Sequence, residues 1–342
     1  MRSTKSRSWT DGAFGRLLGF APVPPPPHVF ALEATRLRYA GFTREAEGLR
    51  LVDARESALP PDAFQHGPLG GPLRDAGAFT ELVTSLLQRV AAPVKDASLL
   101  IPDAWLRVTS AESGDLPRQA AGRDDLLRWR LKHLVPFRID DLRVSGEEVE
   151  PFPGQQEPRR LLLGFAGEAL LAQLEDAFAA AGIHLGAISN PSLSLAGALR
   201  VRDEAGLTAI VLVDGASYTL LFTRPTERSM EPVLHRYKAW TGDPSVTTRA
   251  ALVGRDMRLT RAFLEENLPG VGVRQALLWM ASSANAAGSG DWLSWLAEGL
   301  GCPARLLGAE HLRVLPGGLP GALWGSAMEA APMLGAACRE VA

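Results

Sequence analysis

Twice along the chain, a strand, a tight turn beside an acidic residue and a returning strand are followed by a helical stripe. The first hairpin lies in HVFALEATRLRYAGF and the second in TAIVLVDGASYTLLFTRP, which starts near Leu207. Turns this short join only antiparallel neighbours, because parallel strands need a crossover of about a dozen residues or more. Each hairpin has to bury an apolar face, and the helices that follow in sequence supply the covering layer. The echo is one of element order and not of residue identity, so no repeat period is assigned to it. It predicts an α/β fold in two halves, and 342 residues with 46% apolar content suffice for a core in each.

In the first half, strands are expected over 28–33, 36–42 and 49–56, with a turn around 43–48. Phe79, Leu82, Val83, Leu86, Leu87 and Val90 recur at spacings of three and four, a helical stripe with Asp75 near its start. Strands are expected in DASLLIPD and WLRVTSAE. A second stripe, Leu127, Leu131, Leu134 and Val135, predicts a helix that Pro136 stops at Val135. Asp124 and Asp125 at its front, and Lys132 and His133 at its back, suit the helix dipole. A strand pair follows in DLRVSGEEVEPF and RRLLLGFAG. Then come a helix from Leu170 to Ala181 closed by Gly182, a strand, a turn at Asn190 and Pro191, and a further helix. After the second hairpin the pattern predicts helices in SVTTRAALVGRDMRLTRAFLEENL and DWLSWLAEGLG on either side of VRQALLWM, and a final helix around Leu323 to Arg339.

Composition excludes several classes. With 36 basic and 38 acidic side chains the net charge is −2, so no positive field is available to hold a nucleic acid by counterion release. Cys302 and Cys338 are too few for a disulfide framework or a paired-cysteine zinc site, and are read as ordinary, partly buried thiols. The apolar stretch from Phe14 to Phe20 is broken by Gly15 and Arg16 and is too short for a signal core. No run approaches the roughly 20 residues of a membrane span, and a cytoplasmic protein is expected. Pro22 and Pro24 to Pro27 form a stiff spacer that sets off an arm, 1–27. The phosphate-loop, zinc-protease, nucleophile-elbow and dinucleotide motifs are absent, and the six histidines are scattered without metal-ligand spacing.

Two α/β halves, each opening with a hairpin whose turn carries an acid, resemble the actin-like (ribonuclease H-like, sugar-kinase-like) ATPase fold. From His28 to Ala337 the chain is similar to the PilM family of type IV pilus assembly proteins. LLRWRLKHLVPFRIDDLRVSGEEV resembles that family's helix ending in IPF, followed by an acidic pair and a strand. SLLIPDAWLRV, FAAAGIHLGAISNPSLSLAGAL, IVLVDGASYTLLF and GDWLSWLAEGLGCPARLL match in the same order. The resemblance implies a first actin-like domain over 28–200 with an inserted subdomain at about 99–152, and a second domain over 201–342.

It also implies ATP held by backbone amides of tight turns, and magnesium held by carboxylates. The first phosphate turn falls on FALEATRLRY, with Glu33 where the family has Asp and Thr35 where it has Gly. Thr35 resists the positive φ that Gly supplies. The second falls on Asp214, Gly215 and Ser217, with Ala216 at the expected glycine. The adenosine turn falls on Gly288 and Gly290, late in ASSANAAGSGDWL. These six residues are the candidate nucleotide cleft, and no catalytic residue is assigned. The departures point to a degenerate ATPase whose binding of ATP and magnesium stays open. Local readings stand beside the functional ones: Asp214 as a strand end that caps its turn, Glu33 as a solvated strand residue, and Ser282, Ser283, Gly288 and Gly290 as a loop before a helix capped by Asp291. Trp292 and Trp295 are read as packing rather than a base-stacking platform.

The partner the resemblance implies is the cytoplasmic N-terminal tail of a PilN-type inner-membrane protein, lying in a groove beside the inserted subdomain. Pilus motor ATPases are further partners by the same resemblance, and membrane association is peripheral, through partners. Two alternatives are an active ATPase of the same fold, acting as a nucleotide switch, and the cytoplasmic part of a GspL-type type II secretion protein. The latter is expected to carry a membrane-spanning helix, and none follows Leu323 in the sequence.

Overall fold

The computed structural model describes residues 25–45, 48–88, 90, 93–112, 120–149, 151–152, 160–201, 206–226, 229–240, 242, 245–281, 288–313 and 327–338. The N-terminal arm up to residue 24, and Ser282 and Ser283, lie outside them.

Two five-stranded sheets share one topology. In the first, the strands are β1 (His28–Leu32), β2 (Arg36–Glu45), β3 (Gly48–Ala58), β4 (Asp96–Leu100) and β8 (His184–Ser189), in the order β3-β2-β1-β4-β8. In the second, β9 (Leu207–Val213), β10 (Ser217–Pro225), β11 (Met230–Ala239), β12 (Val273–Met280) and β13 (Ala304–Leu306) lie in the order β11-β10-β9-β12-β13. In each the three-stranded meander is antiparallel and the last two strands add in parallel. A third sheet, β5-β7-β6, is built from β5 (Arg107–Glu112), β6 (Leu142–Val149) and β7 (Arg160–Gly167). It is entered after β4 and left before β8, and its last strand lies beyond residue 152.

The helices are α1 (Ala76–Leu87), α2 (Ala120–Lys132), α3 (Glu168–Ala180), α4 (Pro191–Ala198), α5 (Val246–Asn267), α6 (Ser289–Leu300) and α7 (Ala331–Cys338). Alternation along the strands decides the layers. Phe30, Leu32, Leu37 and Tyr39 face α1 and α3, whereas Val29, Ala31, Ala40 and Phe42 face inward. In the second sheet Ala209, Val211 and Val213 face α5 and α6, and Ile210 and Leu212 face inward. Being covered on both sides, β9 is buried along its whole length, which is why LTAIVLV is apolar throughout. The two inner faces meet around α4 and α7, which cross each other between the sheets. Although it comes last in the sequence, α7 lies against β1, β3 and β4 of the first sheet.

The predicted elements are largely present, with differences that include β13, which was not expected, and β2 and β3, which extend into the turn expected over 43–48. Helix α2 ends at Lys132, not Val135: the Leu131 carbonyl accepts from both Leu134 and Val135, and Leu134 is exposed. Strand β11 was not expected, since MEPVLHRYKA carries a proline and no clean alternation; it forms because β10 offers it a full ladder. Helix α6 is entered through Gly288, with Asp291 inside its first turn rather than at the cap. Finally, the last helix is preceded, among the described residues, by a 3-10 turn at Ala327–Ala330.

Candidate functional site

Strands β1, β4 and β8 run parallel, as do β9, β12 and β13, so the turns that follow them gather at strand C-terminal ends, where open α/β sheets form their crevices. Five of the six candidate residues belong to these strand-end segments or to the start of the helix that follows one. The sixth, Ser217, begins the strand returning from the Asp214 turn.

Glu33 follows β1 directly. Its amide donates to the Arg36 carbonyl at 2.9 Å, closing the hairpin, and neither Glu33 nor Thr35 takes a left-handed conformation. One carboxylate oxygen lies 2.6 Å from Arg36 Nε and the other 3.3 Å from Arg38 Nη1. Arg38, only 4% exposed, is held in addition by Glu56 at 3.2 Å and Glu329 at 2.5 Å. Glu33 is therefore one member of an arginine and glutamate network, and both its oxygens already carry cationic partners. The solvated-strand reading does not describe it.

Asp214 ends β9. Its Oδ1 accepts from the Ala216 amide at 2.8 Å and the Ser217 amide at 2.6 Å, and its Oδ2 accepts from Ser217 Oγ at 2.8 Å. The carboxylate thus closes its own turn, an Asx arrangement. Burial pushes its pKa up, and the nearby Asp103 charge adds to that effect. Gly215 keeps a φ outside the left-handed range. The Ala281 amide donates to the Val213 carbonyl at 2.9 Å, so the residue that follows β12 lies beside the end of β9, next to Asp214. Gly288 caps α6 and Gly290 lies in its first turn, with open space around the latter. Trp292 is fully buried, packed on Trp295, Tyr218 and Trp240, and so is a core residue.

Residues not singled out from the sequence join the two halves here. Asp103 follows β4, Ser192 lies in the first turn of α4 and His235 on β11. Ser192 donates its hydroxyl hydrogen to Asp103, so the His235 Nε2 hydrogen points to Ser192 Oγ, 2.9 Å away, and His235 Nδ1 is buried without a hydrogen-bond partner among the described residues. Tyr237 lies beside Ser217, with Arg107 stacked 5.0 Å from its ring centre. The visible signal was Asp103 directly after the apolar run SLLIP, a carboxylate at a strand end.

This arrangement does not suit magnesium and a nucleotide triphosphate. The amides of the second turn, which would cradle phosphate oxygens, already donate to Asp214. The first turn presents a carboxylate engaged by two arginines. Among the described residues no group of three His, Cys, Asp or Glu side chains is placed to hold a metal ion. The two thiols are also poor ligands: burial pushes both Cys302 and Cys338 up to about 11.

A second concavity, of about 340 Å³, runs between the first sheet and the small one. Its walls are β8 and β6, each of which comes last in its sheet among the described residues. Leu171, Ile188 and Leu193 give it an apolar floor, and Arg143, clamped between Glu168 at 2.6 Å and Glu175 at 2.5 Å, marks its rim.

No family model matches the chain, and no curated protein matches it. Solved structures do, and they establish the class: the chain has the actin-like, two-sheet fold. The PilM–PilN type IV pilus biogenesis complex contains a chain similar to this one, with a TM-score of 0.65 at 15% identity over 90% of this chain and 96% of that one. The cytoplasmic domain of EpsL, an inner-membrane component of the type II secretion system of Vibrio cholerae, has a TM-score of 0.43 at 13% identity, covering 90% and 93%. EutJ, an ethanolamine utilization protein of Carboxydothermus hydrogenoformans, has 0.45 at 10% identity, covering 93% and 91%.

Proposed function

We propose that this chain is a partner-binding component of a type IV pilus assembly platform, taking the cytoplasmic N-terminal tail of a PilN-type inner-membrane protein between β6 and β8. The observation that carries this reading is the groove itself: two strands that come last in their sheets among the described residues flank an apolar floor, the setting in which an extended peptide can dock. The likeness to a PilM chain solved with PilN supports it. In this reading the halves divide at about residue 200 and the small sheet is the inserted subdomain. The protein sits at the inner face of the membrane through its partner, and motor ATPases are further contacts. Among the described residues no helix is long and apolar enough to cross a membrane.

A peptide of the tail of the cognate PilN-type protein, titrated into the full chain by fluorescence anisotropy, is expected to bind saturably. Ser145 is exposed on the β6 wall, so Ser145→Trp fills the groove at little folding cost and is expected to weaken binding at least about tenfold. Equal affinity in that variant would remove the groove from the reading.

The cleft is proposed to be structural. Calorimetry with ATP and magnesium is expected to give no saturable heat, because both turns already use the groups a nucleotide would need. Micromolar binding that Asp214→Ala abolishes would replace the scaffold with a nucleotide switch.

A further inference from the structure

Seven large hydrophobic side chains stay exposed among the described residues, and three of them, Val246, Leu252 and Leu259, lie on α5. Leu252 is 47% and Leu259 55% exposed. Seven residues apart, they stand on one stripe, two turns or about 10 Å from each other. The opposite face of the helix, with Val253, Met257 and Leu264, fills the core against the second sheet. Core packing therefore accounts for that face and leaves the leucine stripe unexplained.

The stripe borders a groove of about 450 Å³ between α5 and the end of β11. Its apolar wall is Leu252, Leu259 and Trp240, and Lys238 and Arg255 are on its rim. Arg255 follows Leu252 by three residues, and Arg258 is exposed one turn from it. Neither arginine has an ion-pair partner among the described residues. The acid in the groove is already committed, since Asp256 accepts from Tyr218 at 2.9 Å and lies 3.5 Å from Lys238. The local balance is cationic on a molecule whose net charge is −2.

We propose that the α5–β11 groove is a docking site for an acidic amphipathic helix of a protein partner. Its apolar side chains would lie on Leu252, Leu259 and Trp240, and its carboxylates would meet Arg255 and, one turn on, Arg258. A helix laid in a groove presents apolar anchors at i, i+3 or i+4 and i+7, which matches the two-turn stripe. Unpaired arginines select carboxylates at the rim and speed the encounter. The site stands apart from the β6–β8 groove and does not depend on what that groove binds.

The test uses the full chain and a labelled 16-residue helical peptide with leucines at i, i+4 and i+7 and glutamates between them. Saturable binding at about micromolar affinity is expected, weakening as salt rises. Arg255→Glu is expected to cost about tenfold, as is the pair Leu252→Ser and Leu259→Ser. These positions are on the surface, and circular dichroism and melting confirm the fold of each variant. A scrambled peptide of the same composition that binds equally well, unchanged affinity in the variants, or no saturable binding overturns the proposal. So does Leu259-dependent adsorption to phosphatidylglycerol vesicles without peptide binding, which would make the face a membrane contact. Self-association abolished by Leu259→Ser would assign it to a second copy of the chain and overturn the proposal equally.

Discussion

Gly335→Ala is expected to lower the melting temperature of the full chain by about 4 °C, which corresponds to about 3 kcal/mol for a protein of this size. Gly335 lies where α7 crosses α4, and a Cβ there would stand 1.7 Å from the Ser194 carbonyl oxygen and 2.5 Å from its carbon. The obstacle is backbone, so no side-chain rotation relieves it, and the helices would have to move apart by more than an ångström. Overpacking of this kind costs about 1–3 kcal/mol and occasionally more, against about 1 kcal/mol gained from helix propensity. The crossing also carries the connections between the halves: the Arg313 amide donates to Ala198 and the Arg200 amide to His311, both at 2.8 Å. Faster proteolysis between the halves is expected to accompany the lower melting temperature. Unchanged melting, measured by calorimetry, would show that the helices separate freely and that the close approach is not required.

Trp292→Ala is expected to cost about 3–5 kcal/mol, the range for truncating a buried aromatic side chain. Trp292 has no exposed surface, and its ring centre lies 5.4 Å from that of Trp295 and 5.6 Å from that of Tyr218. The melting temperature should fall by about 4–7 °C. Trp292→Phe should keep most of the stability, because the indole nitrogen has no hydrogen-bond partner among the described residues to lose. A base-stacking residue lining a cleft would behave in the opposite way, with its alanine variant as stable as the parent. Urea unfolding of the two variants separates these cases.

Much of the layout was legible because hairpins and amphipathic helices are local. The alternation in VFAL and RLRYAGF, the stripe from Phe79 to Val83, and Gly182 at φ 80° after α3 each announce an element through neighbours in sequence. The actin-like fold follows from their order. Strand β11 escaped notice because its pairing with β10, and not its own pattern, makes it a strand. The candidate site was half legible. Glu33 and Asp214 do lie at the turns expected of them, but what their oxygens touch depends on Arg38, Ser217 and the Ala216 amide. Asp103, Ser192 and His235 come from three distant segments and meet only when the two halves pack together.

The sequence by itself determined the secondary elements, the doubled β-meander and the acidic residue at each first turn, since these rest on periodicities of two and 3.6 and on turn chemistry within a few residues. Only the tertiary structure decided which charges are neutralised, which strands flank a groove, and which leucines stay outside the core. Those outcomes depend on groups far apart in the chain: Arg38 meets Glu329 across 291 positions, and Gly335 meets Ser194 only because two small-residue helices cross between the sheets. Electrostatic pairing and close packing act through space, so no local pattern records them.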